Sequence, residues 1–412
     1  MSKPARPRPT ILYLNQKIDR IPTEPAHPRP LSEHSARHPG NDMLKNRLRR
    51  TACALAVWFL ATVFGNAQET SPRPLAVLPK LAIDLPAKEV ALGHKLFFDK
   101  RLSGDATLSC AMCHDPKKGW ADGLPLSKGY PGTLYFRNTP TVMNTAHGKY
   151  LYWDGRLPAA DLPTVVRDHI AEAHFLQADG RLVIERLRQV PEYEVEFKSV
   201  FGGEPTYGRI LNATAAFVKS LRSQDVPFDK FLGGDDAAIN DSAKSGLALF
   251  KGKAGCIRCH DGAMLTDGKF HSLGLTSNPD IFQTPLRHIT FRRFFRTLGV
   301  PNYRALRQDV GCYCVSKDEK QREQFRTPTL REVSRTAPYM HDGQLATLED
   351  VVEFYNAGGG PRATKDPLLK PLGLTEQEKT DLVEFLKTLS GKPIEFPEIK
   401  VPAYKLRKLG EN

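Results

Sequence analysis

Two pentapeptides constrain this chain more than any other feature: Cys110-Ala-Met-Cys113-His114 and Cys256-Ile-Arg-Cys259-His260. In each, two thiols stand three residues apart and an imidazole follows the second. Three chemistries compete for this spacing. A redox dithiol uses C-x-x-C on a strand-to-helix turn, but it needs no following His, and no strand-helix-strand pattern surrounds either unit. A zinc site needs four ligands, which Cys256, Cys259, Cys312 and Cys314 could supply, yet that leaves the first unit unexplained. Covalent haem c accounts for every residue of both units: the thiols add to the porphyrin vinyl groups, and the adjacent His is held under the iron as proximal ligand. The fold must then provide two haem pockets.

Each unit follows an amphipathic helix that ends in Leu-Phe. In "AKEVALGHKLFFDK", Val90, Leu92, Leu96 and Phe97 share one helical stripe. "NDSAKSGLALFKGK" starts at an Asn240/Asp241 cap and carries Leu247, Leu249 and Phe250. Downstream, "TEQEKTDLVEFLKTLSG" reads as a capped amphipathic helix from Thr375 to Leu389, with "YGRILNATAAFVKSLRS" as its counterpart in the first half. This repetition predicts a mainly α fold with two cytochrome c-like haem domains in tandem. They span residues 68–235 and 236–395, meet near "LGGDD" at 232–236, and leave 396–412 as a tail. A length of 412 residues suits two domains.

Residues 1–42 are rich in Pro and Arg and show no apolar periodicity, the composition of a disordered or mis-called N-terminal extension. In "MLKNRLRRTACALAVWFLATVFGNAQET", Lys45, Arg47, Arg49 and Arg50 precede an apolar run from Ala52 to Gly65. The small residues Gly65 and Ala67 flank Asn66, which completes the layout of a signal peptide over 43–67. The run is shorter than the ~20 residues of a membrane-spanning helix. Cleavage after Ala67, a periplasmic location and no stable membrane anchor are therefore expected, with Met43 as the true start. Residues 1–67 hold 11 Lys and Arg against 4 Asp and Glu, so the remainder carries +6 of the formal +13. Scattered basic residues of that number give no reason to expect nucleic acid. Of the seven cysteines, Cys53 leaves with the signal and four serve the two units. Cys312 and Cys314 could be bonded to each other, free or reactive.

With these motifs in place, the sequence resembles the bacterial dihaem cytochrome c peroxidase family, which also includes MauG, over roughly residues 80–395. Besides the haem units, the likeness rests on "RNTPTVMN" at 137–144, "YWDGR" at 152–156, "FRTPTLREV" at 325–333 and "APYMHDG" at 337–343, followed by "TLEDVVEFYNAGG". The resemblance implies that peroxide reacts at the N-terminal haem, on His114, and that the C-terminal haem, on His260, passes electrons to it. It implies that Trp153 bridges the two, although core packing is the ordinary role of a lone Trp. A calcium ion between the domains is implied as well, held by the Asn138 side chain and the carbonyls of Thr336 and Pro338, which are hard oxygen ligands. In many family peroxidases a Met fourteen residues after the His of "PYMHDG" ligates the C-terminal iron. From His341 that register lands on Tyr355, and the MauG branch has Tyr there. A phenolate stabilises ferric iron, whereas a thioether favours ferrous iron.

The chain departs from the family around the first haem. A loop His caps the N-terminal iron in many members; here Tyr130 stands in its place, so that iron is expected to keep an open face, with His147 the nearest substitute. Peroxide cleavage needs an acid-base group on this face. The family uses a Glu preceded by a Gln, and in "LPTVVRDHIAEAHFLQADG" no Gln falls in register; Glu172 is nearest by count, with His169 and His174 as rivals. The expected protein is an exported dihaem peroxidase that reduces hydrogen peroxide to water with electrons from a cytochrome c or cupredoxin. Its alternatives are a MauG-like enzyme that oxidises a protein substrate and a dihaem cytochrome that only carries electrons.

Overall fold

Helices dominate the computed structural model, which describes residues 71–397 and 399–402; the expected extension and signal peptide lie outside the described residues. The first half contains α1 (Ala87–Phe98), α2 (Leu162–Ala171), α3 (Gly180–Arg188), α4 (Pro191–Phe201) and α5 (Tyr207–Ser220). The second contains α6 (Asp241–Lys251), α7 (Pro285–Thr297), α8 (Leu348–Asn356) and α9 (Glu376–Lys387), besides shorter turns. The strands among the described residues are two short antiparallel pairs, β1 (Tyr150–Leu151) with β2 (Leu157–Pro158) and β3 (Phe270–His271) with β4 (Phe325–Arg326).

Local sequence explains the helix starts. The Asn240 side chain accepts from the Ala243 N–H and opens α6 where the sequence places the cap. Thr375 and Glu378 form a reciprocal capping box at the head of α9.

Duplication shows most clearly in the packing. α1 lies against α5 so closely that a Cβ on Gly93 would collide with the Ala213 carbonyl oxygen. α6 lies against α9 in the same way, with Gly246 facing the Asp381 carbonyl. In both helices the aromatic residue four positions after the glycine, Phe97 or Phe250, is buried in the adjoining core. One core gathers Leu92, Leu96, Ile210, Ala213 and Phe217 around α1 and α5. The other gathers Leu247, Leu382, Phe385 and Leu386 around α6 and α9.

A third apolar cluster has no counterpart among the described residues of the first half. Phe291, Phe294 and Phe295 of α7 enclose Phe136, which comes from the loop before "NTPTV". The two ends of the described stretch also cross over. At its start, Leu75 packs on the second core and the Arg73 guanidinium binds Asp261, with Nε to Oδ1 at 3.0 Å. Near the C-terminus, Phe396 packs on the first core against His94, Trp120 and Phe217. All described residues belong to one compact unit.

Candidate functional site

The two C-x-x-C-H units adopt the same local structure. Cys110–Met112 and Cys256–Arg258 are single 3-10 turns. The His114 N–H donates to the Cys110 carbonyl at 3.0 Å, and the His260 N–H donates to the Cys256 carbonyl at 2.9 Å. Each imidazole is then fixed from behind: His114 Nδ1 lies 3.1 Å from the Trp120 carbonyl, and His260 Nδ1 lies 3.0 Å from the Leu265 carbonyl. A carbonyl can only accept, so Nδ1 carries the proton and Nε2 presents its lone pair, the tautomer of a metal-binding His. Burial lowers the pKa of both rings and keeps them neutral. It also pushes Cys110 up to about 12, Cys113 to about 11 and Cys256 to about 12, so these groups stay as thiols.

Each unit opens on its own cavity. His114, Cys110 and Cys113 line one of about 530 Å³, and His260, Cys256 and Cys259 line one of about 480 Å³. Both volumes lie in the range of cofactor sites. The sites fit an anionic, largely apolar cofactor in a second respect. Arg326 reaches the wall of both cavities, its Nε donates to the Tyr152 carbonyl at 3.1 Å, and no carboxylate hydrogen-bonds to it among the described residues. Burial pushes its pKa down to about 10, so a carboxylate beside it would relieve a desolvated cation. Four-thiol zinc coordination is absent among the described residues, where the one three-residue cluster of possible ligands is Cys259, Asp267 and His271. That His is already held by two carboxylates, Asp267 at 2.8 Å and Asp366 at 2.7 Å. Cys312 and Cys314 are free and buried.

Trp153 stands in the wall that the cavities share, together with Asn138 and Arg326. It is 9% exposed, and its Nε1–H donates to the Asn138 carbonyl at 2.9 Å. Behind it lies a buried ionic network. Arg137 forks onto Asp309 at 2.7 and 2.9 Å and reaches Asp154 at 2.5 Å, while Arg156 pairs with Asp154 at 3.0 Å. The network ties "RNTP" and "YWDGR" of the first half to the segment after α7.

The remaining candidates divide by position. Tyr355, near the end of α8, lines the His260 cavity, and burial raises its pKa. Asn138 Nδ2 lies 2.9 Å from the Leu124 carbonyl and 3.3 Å from that of Pro338, which brings two expected calcium ligands side by side; Thr336 lines the same cavity as Pro338. Glu172 caps the end of α2 and is not on the wall of the His114 cavity. Its carboxylate lies 3.0 Å from His174 Nε2 without the alignment of a hydrogen bond, and burial raises its pKa. Tyr130 and His147 are off this wall too, whereas His169 is on it. Sequence reasoning did not single out Arg326 or His341. The latter is 5% exposed, lines the second cavity and stacks on Phe325 with ring centroids 3.7 Å apart; its Nε2 makes no hydrogen bond among the described residues and lies 3.7 Å from the Asp342 carboxylate.

A mainly helical chain with two such cavities, each backed by a C-x-x-C-H turn, has the architecture of a dihaem cytochrome with tandem cytochrome c-like domains. Known proteins agree. A family model for di-haem cytochrome c peroxidase matches residues 87–237. The chain is 47% identical over 369 residues to the cytochrome-c peroxidase IdrP2 of Pseudomonas sp. (strain SCT), covering 89% of this chain and 99% of that protein. It is 38% identical over 323 residues to the methylamine utilization protein MauG of Methylorubrum extorquens, covering 78% and 83% of the two chains. The crystal structure of a MauG-like protein associated with microbial copper homeostasis superposes with a TM-score of 0.64 at 29% identity, over 79% of this chain and 96% of that one. The chain belongs to the dihaem cytochrome c peroxidase and MauG family, and it is a haem-dependent oxidoreductase of the peroxidase type.

Proposed function

We propose that the protein reduces hydrogen peroxide to water in the periplasm, at the site of His114, with electrons that a small cytochrome c or cupredoxin delivers at the site of His260. The balance is one peroxide, two electrons and two protons in, two waters out. Bound haem supplies the iron redox chemistry at both sites. The protein's own residues do the rest. Cys110 and Cys113, and Cys256 and Cys259, would form the thioether links; His114 and His260 would hold the irons through Nε2; Tyr355 would offer its phenol oxygen on the second cavity. The observation that carries this reading is the placement of Trp153, which touches both cavities and gives electrons a short aromatic path through the dividing wall.

Glu172 lies off the cavity wall, so its role in this reading is that of a proton store beside the pocket, which the raising of its carboxyl pKa by burial supports. Calcium would bind where the Asn138 amide, turned to present Oδ1, meets the Thr336 and Pro338 carbonyls. A chelator should then change the spectrum or turnover of the holoprotein, and no change in either would remove calcium from the account. The division into residues 68–235 and 236–395 belongs to the same reading, as does export through residues 43–67.

Tyr355 favours a second reading, a MauG-like enzyme in which peroxide oxidises another protein. Steady-state peroxide consumption by the mature holoprotein with a reduced small cytochrome separates the possibilities. Saturable turnover supports the peroxidase. Loss of peroxide only when a protein substrate is present supports the MauG-like reading, and no consumption with both haems in place would leave a plain electron carrier.

A further inference from the structure

His169 stands on the last turn of α2 and on the wall of the His114 cavity. Its ring is fixed from behind as the two C-x-x-C-H imidazoles are: Nδ1 lies 2.8 Å from the Val165 carbonyl, with the Tyr152 hydroxyl at 3.2 Å. Nδ1 therefore carries the proton and Nε2 the lone pair. Neither His114 Nε2 nor His169 Nε2 has a hydrogen-bond partner among the described residues. The His169 ring is also clamped, with Phe175 stacked at 4.3 Å and Tyr152 at 5.6 Å.

The distance between the two rings is the telling quantity. The centroids of His114 and His169 are 6.3 Å apart. A His nitrogen binds a metal at about 2.0 Å, and the ring centroid lies roughly 1.2 Å behind it, so two imidazoles on opposite sides of one ion have centroids roughly 6.4 Å apart. A His that only exchanged protons with a metal-bound oxygen would stand farther away. Metal to oxygen takes about 2 Å and the hydrogen bond a further ~2.6–3.2 Å, which puts the centroids roughly 9 Å apart. The observed spacing fits direct ligation and is too short for a pure acid-base role.

We propose that His169 is the second axial ligand of the iron held by His114, so that the resting site is closed by an imidazole from α2. The inference rests on the reading that His114 holds haem. His169 would thus cover, from a helix, the face that Tyr130 leaves open on its loop.

The test uses the ferric holoprotein and reads spin state by EPR and visible absorption. Wild type should show the His114 haem as low-spin. His169→Gly should lose low-spin signal from one of its two haems, and added imidazole should restore it. His169→Met, which keeps a ligand of similar reach, should bring a methionine-to-iron charge-transfer band. A high-spin His114 haem in the wild type, or a low-spin one that His169→Gly leaves unchanged, would overturn the proposal. Intact mass is measured in parallel: a first unit without haem refutes the underlying reading, whereas two haems with the wrong spin state refute the ligand alone.

Discussion

Replacing Asp154 by Asn removes a buried charge and preserves the shape of the side chain. Asp154 is 0% exposed and accepts from Arg137 Nη1 at 2.5 Å, Arg156 Nη1 at 3.0 Å and the Arg156 N–H at 3.2 Å. With Asp309 it balances two guanidiniums by two carboxylates, so Asn leaves one cation of the four-residue set uncompensated. Burial pushes the Asp154 carboxyl up, but Arg156 and Arg137 outweigh it and hold the group at about 2, against an ordinary 3.8. That difference is worth roughly 2 kcal/mol at neutral pH, and breaking a buried pair costs about 3–5 kcal/mol. The expected loss is therefore about 2–5 kcal/mol. The folded pKa lies below the unfolded one, so this stability is complete above about pH 4 and disappears as the pH falls toward 2. Guanidinium unfolding of the holoprotein at pH 7 and at pH 3, followed by far-UV circular dichroism, reads both effects. Wild type should lose part of its advantage over Asp154→Asn at pH 3. A loss below about 1 kcal/mol at pH 7, or an advantage that stays the same at both pH values, would refute the reasoning.

Other substitutions probe separate parts of the account. Gly93→Ala and Gly246→Ala should each cost at least the ~1–3 kcal/mol of an overpacked core, because the added methyl meets backbone, and a thermal melt of each holoprotein within a degree of wild type would contradict the helix contact. Changing Cys256 and Cys259 together to Ala should lower the intact mass by one haem; an unchanged mass, or zinc in place of the second haem in the wild type, would defeat the haem assignment. Tyr355→Met should raise the potential of the second haem and bring a methionine-to-iron charge-transfer band, whereas an unchanged potential and spectrum would show that Tyr355 does not touch the iron.

What the sequence reveals and what it hides follow from the range of the interactions involved. The C-x-x-C-H turns are local, so spacing alone identifies them, and the Asn240 and Thr375 caps are equally local. Apolar periodicity exposes α1, α5, α6 and α9 because each buries one stripe. The Phe136 cluster is harder to foresee, since α7 ("PLRHITFRRFFRT") alternates arginines with the phenylalanines that it buries. Crossing of the two ends of the described stretch joins residues far apart in sequence, such as Arg73 with Asp261, and leaves no periodic trace. Counting along the chain put Glu172 forward as the group facing the haem, but the residue on the cavity wall is His169, one helical turn earlier. Residues one turn apart share a face while the helix continues, but α2 ends at Ala171 and Glu172 is its C-cap with extended backbone, so its side chain leaves the stripe that carries His169.

The central claim is that one peroxide takes two electrons from one chain carrying two haems. Its most direct test is an anaerobic titration of the fully reduced mature holoprotein with hydrogen peroxide, followed at the ferrous haem bands. The account predicts that both haems are oxidised by one equivalent of peroxide per chain, and that Trp153→Phe slows oxidation of the second haem without changing this stoichiometry. Oxidation of only one haem per peroxide, or no reaction while both haems remain reduced, would contradict it.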